Sequence, residues 1–252
     1  AQPVINITIM LLIIIGGIGF LVWEDVCKHK WRIKEYRTQS KVVLIVTAVL
    51  IVLPAIYFFF FEFSDMPVGK RILASLFQSV TPRTAGFNTV DLTAISDTGL
   101  YLMIILMLIG GSPGSTAGGM KTTTIAVLFS SAFSVFRKKE NAELMKRSVD
   151  DGTVKTASAI FLMYIVLFLF GGMAISAIEN LPITYCLFET ASAVGTVGLT
   201  LGITPTLGIA SKLILIILMF FGRVGGLTLI YAAFGTNKKQ VAKLPTDTIA
   251  VG

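Results

Sequence analysis

Thr196-Val197-Gly198-Leu199-Thr200 decides how this 252-residue chain is read. The five residues lie between two long apolar segments, in a region too small and too rich in glycine to be a spanning helix. About 110 residues earlier, Thr84-Ala85-Gly86-Phe87-Asn88 stands in the same setting. Both read Thr-x-Gly-x-x, a pattern in which successive backbone carbonyls replace the water shell of a potassium ion. Glycine at the third position admits backbone angles closed to other residues. One such pentamer is weak support, because ordinary glycine loops between helices look the same. Two copies, each after a short amphiphilic helix and each between membrane spans, make an internal repeat, and the repeat outweighs either motif. The expected filter residues are Thr84, Ala85 and Gly86 in one copy and Thr196, Val197 and Gly198 in the other, with potassium as the metal ion held at their carbonyls.

The surrounding composition fits a bilayer. Hydrophobic residues make up 54% of the chain and charged ones only 14%, where soluble domains are about a quarter charged. Mean hydropathy is +0.83. Charge-free runs of bilayer-spanning length occur at Ala1–Trp23, Val42–Phe61, Thr98–Met120 and Thr156–Ile178, and another runs through Leu213–Gly222 and on past Arg223. The net charge of +7 does not point to nucleic acid, because 15 of the 21 basic residues sit in three short segments beside spans. These are Lys28–Lys41, Arg137–Lys155 and a tail with Lys238, Lys239 and Lys243. The positive-inside rule places all three in the cytoplasm. The acidic residues Glu62, Asp65, Asp91, Asp97 and Glu179 mark the external connections. Cys27 and Cys186 show no pairing or metal spacing. Ala1–Trp23 is too long, and lacks the basic start, for a signal peptide.

Taken in order, Ile5 to about Val26 reads as a first span, with Gly16, Gly17 and Gly19 allowing close helix packing. Val42–Phe61 returns outward with Pro54 as a kink. Val68–Val80 is about 20 Å of helix, too short to cross, and stops at Thr81-Pro82-Arg83 ahead of the first filter stretch. Pro182–Val194 is its counterpart ahead of the second. The last span is Leu207–Phe234, with Arg223 near its middle.

Thr98–Phe136 holds one charge, Lys121, and as a straight helix would be about 58 Å long, nearly twice the hydrocarbon core. It must break at Gly110-Gly111-Ser112-Pro113-Gly114-Ser115-Thr116-Ala117-Gly118-Gly119. Irregular backbone at membrane depth is tolerated only against protein or a water-filled cavity. The loop is expected about half a bilayer below the filter, either as a plug or as a break that only relieves length. Its likeness to a nucleotide P-loop fails because Met120 separates Gly119 from Lys121 and no strand precedes it. Arg223 is expected either to face the path as an electrostatic barrier or to tie helices together. Arg83 is expected behind the filter with Glu189 as candidate partner, or else snorkelling at the surface.

Thr81–Thr89, Gly110–Lys121, Thr196–Thr200 and Gly222-Arg223-Val224-Gly225-Gly226 together resemble the Trk/Ktr/HKT superfamily of potassium transporters across essentially the whole chain. The resemblance implies an all-α polytopic membrane protein with repeated span–pore helix–filter loop–span units around a central ion pore. Residues 1–40 would hold the last span of a preceding repeat and a cytoplasmic connector, 41–150 the third repeat with its broken second span, and 151–252 the fourth repeat and a cytoplasmic tail. It further implies potassium translocation across a bacterial plasma membrane, gating by the Gly110–Gly119 loop with Arg223, a homodimer, sodium stimulation, and a cytosolic ring of nucleotide-binding regulatory subunits. A ring of four repeats needs a first half, so the chain is expected to be part of a longer protein or to be completed by a companion chain. Ile249–Val251 and Gly252 are candidate interface residues. Two other readings stay open: a non-conducting scaffold fragment of a potassium transport complex, and a broken-helix carrier for another solute. An enzyme is disfavoured, because Glu189, Lys121 and Arg223 are the clear intramembrane ionisable residues and show no catalytic spacing.

Overall fold

The computed structural model describes residues 2–139 and 141–225. Helix α1 (Pro3–Ile18) begins with proline in its first turn, where the missing N–H costs nothing. It ends at Gly19, whose φ of 95° and ψ of 149° fall near a region essentially closed to other residues. Helix α2 (Phe20–His29) then leaves at 94° to α1. The single span expected over Ile5–Val26 is therefore broken. The cause is local: the carbonyl of Pro113 lies 2.5 Å from where a Cβ on Gly19 would be, and the Phe20 N–H donates to the Gly114 carbonyl at 3.0 Å. α2 carries Glu24, Asp25, Lys28 and His29 among apolar residues. Its Asp25 carboxylate accepts from the Ser40 hydroxyl at 2.6 Å and the Arg37 N–H at 2.9 Å, which fixes α2 to the start of the next helix.

Helix α3 (Thr38–Tyr57) begins four residues before the expected span and runs through Pro54 into a π-helical turn at Phe58–Glu62. Helix α4 (Val68–Val80) has the bounds read from sequence. α5 (Asp97–Leu108) and α6 (Thr122–Phe136) are the two halves of the long apolar segment, separated by the glycine-rich loop. α7 (Asp151–Glu179) is a 29-residue span whose N-cap, Asp150, accepts from the Thr153 N–H at 3.2 Å. α8 (Ile183–Val194) starts just after Pro182, and α9 (Ile209–Val224) closes the described chain. The order α3–α4–Thr-x-Gly stretch–α5/α6 is thus repeated as α7–α8–Thr-x-Gly stretch–α9. Between the two units, β1 (Glu143–Leu144) and β2 (Arg147–Ser148) form a small hairpin. Its turn residues Met145 and Lys146 both have positive φ, 51° and 65°, as a two-residue hairpin turn requires. Neither is a residue that announces such a turn, so the hairpin is invisible in the sequence.

α8 is packed among α5, α7 and α9, while α4 lies against α1 and α3. The larger core centres on Met103, Met107, Tyr164, Ile175, Phe188 and Val194, and a smaller one joins Met10 of α1 to Phe77 and Val80 of α4. Phe60, Phe61, Phe129, Phe136, Leu162, Phe170 and Phe220 point outward, as lipid-facing side chains do. Among the described residues, two helices are long and apolar enough to cross a membrane, or three if α1 and α2 count as one broken span; the other apolar helices are shorter. The chain is a polytopic membrane protein built from spans, half-spans and short inserted helices. The remainder of the expected last span, the tail lysines 238, 239 and 243, and residues 249–252 lie outside the described residues.

Replacing Gly19 by alanine should destabilise the protein by about 1–3 kcal/mol, because the backbone angles and the Pro113 carbonyl both exclude a methyl group. Thermal unfolding of detergent-purified protein would register this as a lowered midpoint, while Gly69→Ala, with nothing within 4 Å of the new methyl, should change little.

Candidate functional site

The two Thr-x-Gly stretches share an unusual backbone. Thr84 and Thr196 have φ of 62° and 52°, and Gly86 and Gly198 have φ of 71° and 94°. A β-branched residue in the left-handed region is an outlier that the surroundings must enforce. The enforcing groups are visible in the second copy. The N–H groups of Gly195, Thr196 and Val197 donate to the carbonyls of Ala191, Ala193 and Ser192 at 2.8, 3.0 and 2.8 Å. The Gly198 N–H donates to the Ser192 hydroxyl at 3.1 Å. In the first copy, Ala85 and Gly86 donate to the Thr81 carbonyl at 3.3 and 3.4 Å. The donors thus turn back toward the ends of α8 and α4. Among the described residues, no hydrogen bond reaches the carbonyls of Thr84, Ala85, Gly86, Thr196, Val197 or Gly198. The stretches also meet: a methyl group on Gly86 would overlap the Val197 carbonyl. α4 and α8 end at Val80 and Val194, so the partly negative ends of two helices abut this cluster of unpaired carbonyls.

The Gly110–Gly119 loop lies against the second stretch. A methyl group on Gly118 would overlap the Thr196 side chain, and one on Gly119 would sit 3.4 Å from Gly195 Cα. The expected half-bilayer separation is therefore wrong for this end of the loop, because the glycines let two backbones approach to contact. The loop is closed on itself by Met120 N–H to the Leu108 carbonyl at 3.2 Å, Thr122 N–H to Gly111 at 3.1 Å, and the Ser112 and Thr122 hydroxyls at 2.9 Å. Its other flank rests on the α1–α2 junction: Ser112 N–H donates to the Gly17 carbonyl at 3.0 Å and Thr116 N–H to Gly16 at 3.4 Å. Pro113 and Gly114 meet Gly19 and Phe20, Ser115 hydroxyl accepts from the Ala117 N–H at 3.3 Å, and Gly119 N–H donates to Gly222 at 3.3 Å.

Two cations hold this loop. Arg223 Nη1 donates to the Thr116 carbonyl at 2.7 Å, and Lys121 Nζ donates to the Ala117 carbonyl at 2.7 Å. Arg223 lies in the last turn of α9, which ends at Val224, rather than mid-helix. Its partner is a backbone carbonyl instead of an acid. Lys121's part was not foreseen; its signal was a single charge directly after a glycine run in an apolar segment.

Arg83 is 2% exposed and does lie within the protein, so surface snorkelling is excluded. The expected pairing with Glu189 is absent. Arg83 Nη2 instead reaches the Thr47 hydroxyl at 3.3 Å, and a methyl group on Gly17 of α1 would lie 3.8 Å from the same nitrogen. Glu189 turns to the far side of the second filter stretch, where its carboxylate accepts from the Thr200 hydroxyl, from the Leu201 N–H at 3.2 Å and from the Thr204 hydroxyl at 2.7 Å. The carboxylate finds three donors 11 to 15 residues further along its own unit, so its burial is compensated without a guanidinium from the other unit. The first stretch is braced differently, by the Thr81 hydroxyl donating to the Phe87 carbonyl at 2.6 Å. Among the described residues there is no group of three His, Cys, Asp or Glu able to hold a metal ion.

Comparison with known proteins adds a family. The profile described as TrkH, cation transport protein, matches residues 1–240. The potassium/sodium uptake protein NtpJ of Enterococcus hirae is 39% identical over 252 residues, covering 96% of this chain and 56% of that protein. The Ktr system potassium uptake protein B of Bacillus subtilis is 36% identical, covering 100% of this chain and 57% of that protein. A crystal structure of the potassium transporter TrkH from Vibrio parahaemolyticus superposes with a TM-score of 0.76 at 20% identity, over 92% of this chain and 52% of that one. The chain spans a little over half the length of these relatives.

Replacing Glu189 by alanine should strand two hydroxyls and an N–H behind the second stretch and cost about 2–3 kcal/mol, with Glu189→Gln losing less. Unfolding midpoints of the two variants, compared with wild type, check the order.

Proposed function

We propose that this chain, which belongs to the TrkH family of cation transport proteins, supplies two of the units that surround a potassium-translocating pore. The observation that carries this reading is the doubled backbone: two Thr-x-Gly stretches with the same left-handed positions, five of their six N–H groups bound inward and, among the described residues, six carbonyls unpaired. Unpaired carbonyls at membrane depth are costly unless something replaces water, and a desolvated monovalent cation is what such an array accommodates. The ends of α4 and α8 add negative potential at the same place. The relatives' names, potassium uptake and potassium/sodium uptake, support potassium as the transported ion with sodium as a second or stimulating ion.

The Gly110–Gly119 loop with Arg223 and Lys121 is the gate in this reading. The loop touches Thr196 on one flank and is latched by two cations through its own carbonyls. Opening requires the latch to release. The remaining units of the ring come from the part of the protein that the relatives possess beyond this span. In the same proposal the protein lies in a bacterial plasma membrane as a homodimer, with connectors 28–41 and 137–155 and the C-terminal tail in the cytoplasm, where a nucleotide-binding ring docks. The basic residues of those connectors support that orientation.

Cells lacking their own potassium uptake systems, carrying the full-length protein, test both parts. Wild type should restore growth at low potassium, and Gly198→Asp should insert normally but fail to do so. Arg223→Ala should fold and raise the potassium flux, because one of the two latches on the loop is gone. Normal uptake by Gly198→Asp would remove the filter assignment; unchanged flux in Arg223→Ala would remove the latch.

A further inference from the structure

Each pore unit inserts a short helix, a filter stretch and a return strand between two longer helices, and in both units a single carboxylate closes the neck of that insertion. In the first unit Glu62, at the end of the π turn that follows α3, accepts from the Ser96 N–H at 3.0 Å, from the Ser96 hydroxyl, and from the Tyr57 hydroxyl at 3.2 Å. Ser96 is the N-cap of α5, 34 residues further along. In the second unit Glu179, the last residue of α7, accepts from the Gly208 N–H at 2.8 Å and the Ser211 hydroxyl at 2.5 Å. Gly208 is the N-cap of α9, 29 residues further along. Room for the carboxylate is made by glycine in both: a Cβ on Gly99 would lie 2.6 Å from Glu62 Oε1, and one on Gly208 3.1 Å from Glu179 Oε1.

We infer that Glu62 and Glu179 are positioning residues of the filter, two copies of one staple that fixes the ends of each pore insertion. The inference rests on the pore reading above. Every residue assigned to a filter stretch lies between stapled ends: Thr84–Gly86 between 62 and 96, and Thr196–Gly198 between 179 and 208. Both return strands are then held at two points. Near the filter the first is held by Thr81 on Phe87 and the second by Glu189 on Thr200, Leu201 and Thr204. At the far end each is held by its staple. Closing a loop at its neck removes chain freedom from everything within it. Carbonyls that must replace a hydration shell need placement to a fraction of an ångström, which depends on the shell of groups supporting them. The carboxylates also sit at the N-termini of α5 and α9, where negative charge and acceptor oxygens satisfy otherwise orphaned N–H groups. Glu62 stands 22 residues before Thr84 and Glu179 17 residues before Thr196, so the two glutamates are out of step in the sequence.

The test uses the full-length protein with potassium and sodium uptake measured in the same cells, and membrane-inserted protein quantified. Glu62→Ala and Glu179→Ala should lower potassium-over-sodium discrimination by roughly tenfold per inserted molecule, since each loses hydrogen bonds to a charged acceptor. Glu62→Gln and Glu179→Gln, which keep one acceptor oxygen, should recover part of it. Where an alanine variant fails to insert, Ser211→Ala decides: it removes one donor to Glu179, keeps the Gly208 backbone bond, and should shift discrimination in the same direction by about two- to threefold, while Ser96→Ala, which also removes the N-cap bond from the Gly99 N–H, should shift it at least as far. A staple with only a structural role would lower the amount of protein and leave discrimination of the surviving molecules unchanged, and that result overturns the inference. Wild type that takes up no potassium would instead overturn the pore reading, and the staple's role in selectivity with it.

Discussion

Inside a bilayer core, a backbone polar group must find a partner within the protein, and nearly every feature of this fold follows from that demand. The helices meet it by themselves. The Thr-x-Gly stretches do not: five of their six N–H groups are returned to the ends of α4 and α8, and among the described residues their carbonyls are left over. That asymmetry is created by left-handed threonines, which rotate successive peptide planes so that donors face the scaffold. The strain is tolerated because α8 is packed on three sides and α4 on two. A scaffold that did not over-determine these residues would let them relax into ordinary turns with internally bonded carbonyls, and the site would vanish.

The same demand explains the loop between α5 and α6. Ten residues of irregular backbone lie among helices, and their polar groups are satisfied from four directions: by the loop's own ends, by the carbonyls of Gly16 and Gly17, by Gly222, and by the side chains of Lys121 and Arg223. Small residues are needed wherever backbone meets backbone, which is why the loop, the end of α1 and the last turn of α9 all carry glycine. Charge is used sparingly and at carbonyls. Among the described residues Arg223 and Lys121 pair with no acid; they donate to the Thr116 and Ala117 carbonyls.

Periodicity and length made much of this legible. The short helices Val68–Val80 and Ile183–Val194, the break in the segment from Thr98 to Phe136, and the doubled filter stretch can be read from apolar run lengths and the placement of proline and glycine. What could not be read was set by contacts distant in sequence. The 94° turn at Gly19 depends on Pro113 and Gly114, and nothing near Gly19 distinguishes it from the packing glycines beside it. Glu189 and Arg83 look like partners as two opposite charges in apolar surroundings, yet Glu189 is consumed by three donors a dozen residues away. The turn of the small hairpin is made by Met145 and Lys146, residues whose ordinary preferences lie elsewhere.

The hydrogen bonds between the α1–α2 junction and the loop bear on how such a molecule can be divided. The repeat visible in sequence begins near residue 41, and gene duplication would copy it as a block. The folded unit does not respect that border. Severing the chain there and discarding what precedes would leave the N–H groups of Ser112 and Thr116 and the carbonyl of Gly114 with nothing to bond in a medium that offers no substitute. The sequence repeat and the cooperative module are therefore out of phase by one helix pair. A split version of this protein should be cut in a connection outside the spans, such as the one between α7 and α8, where water can take over the backbone, rather than near residue 41.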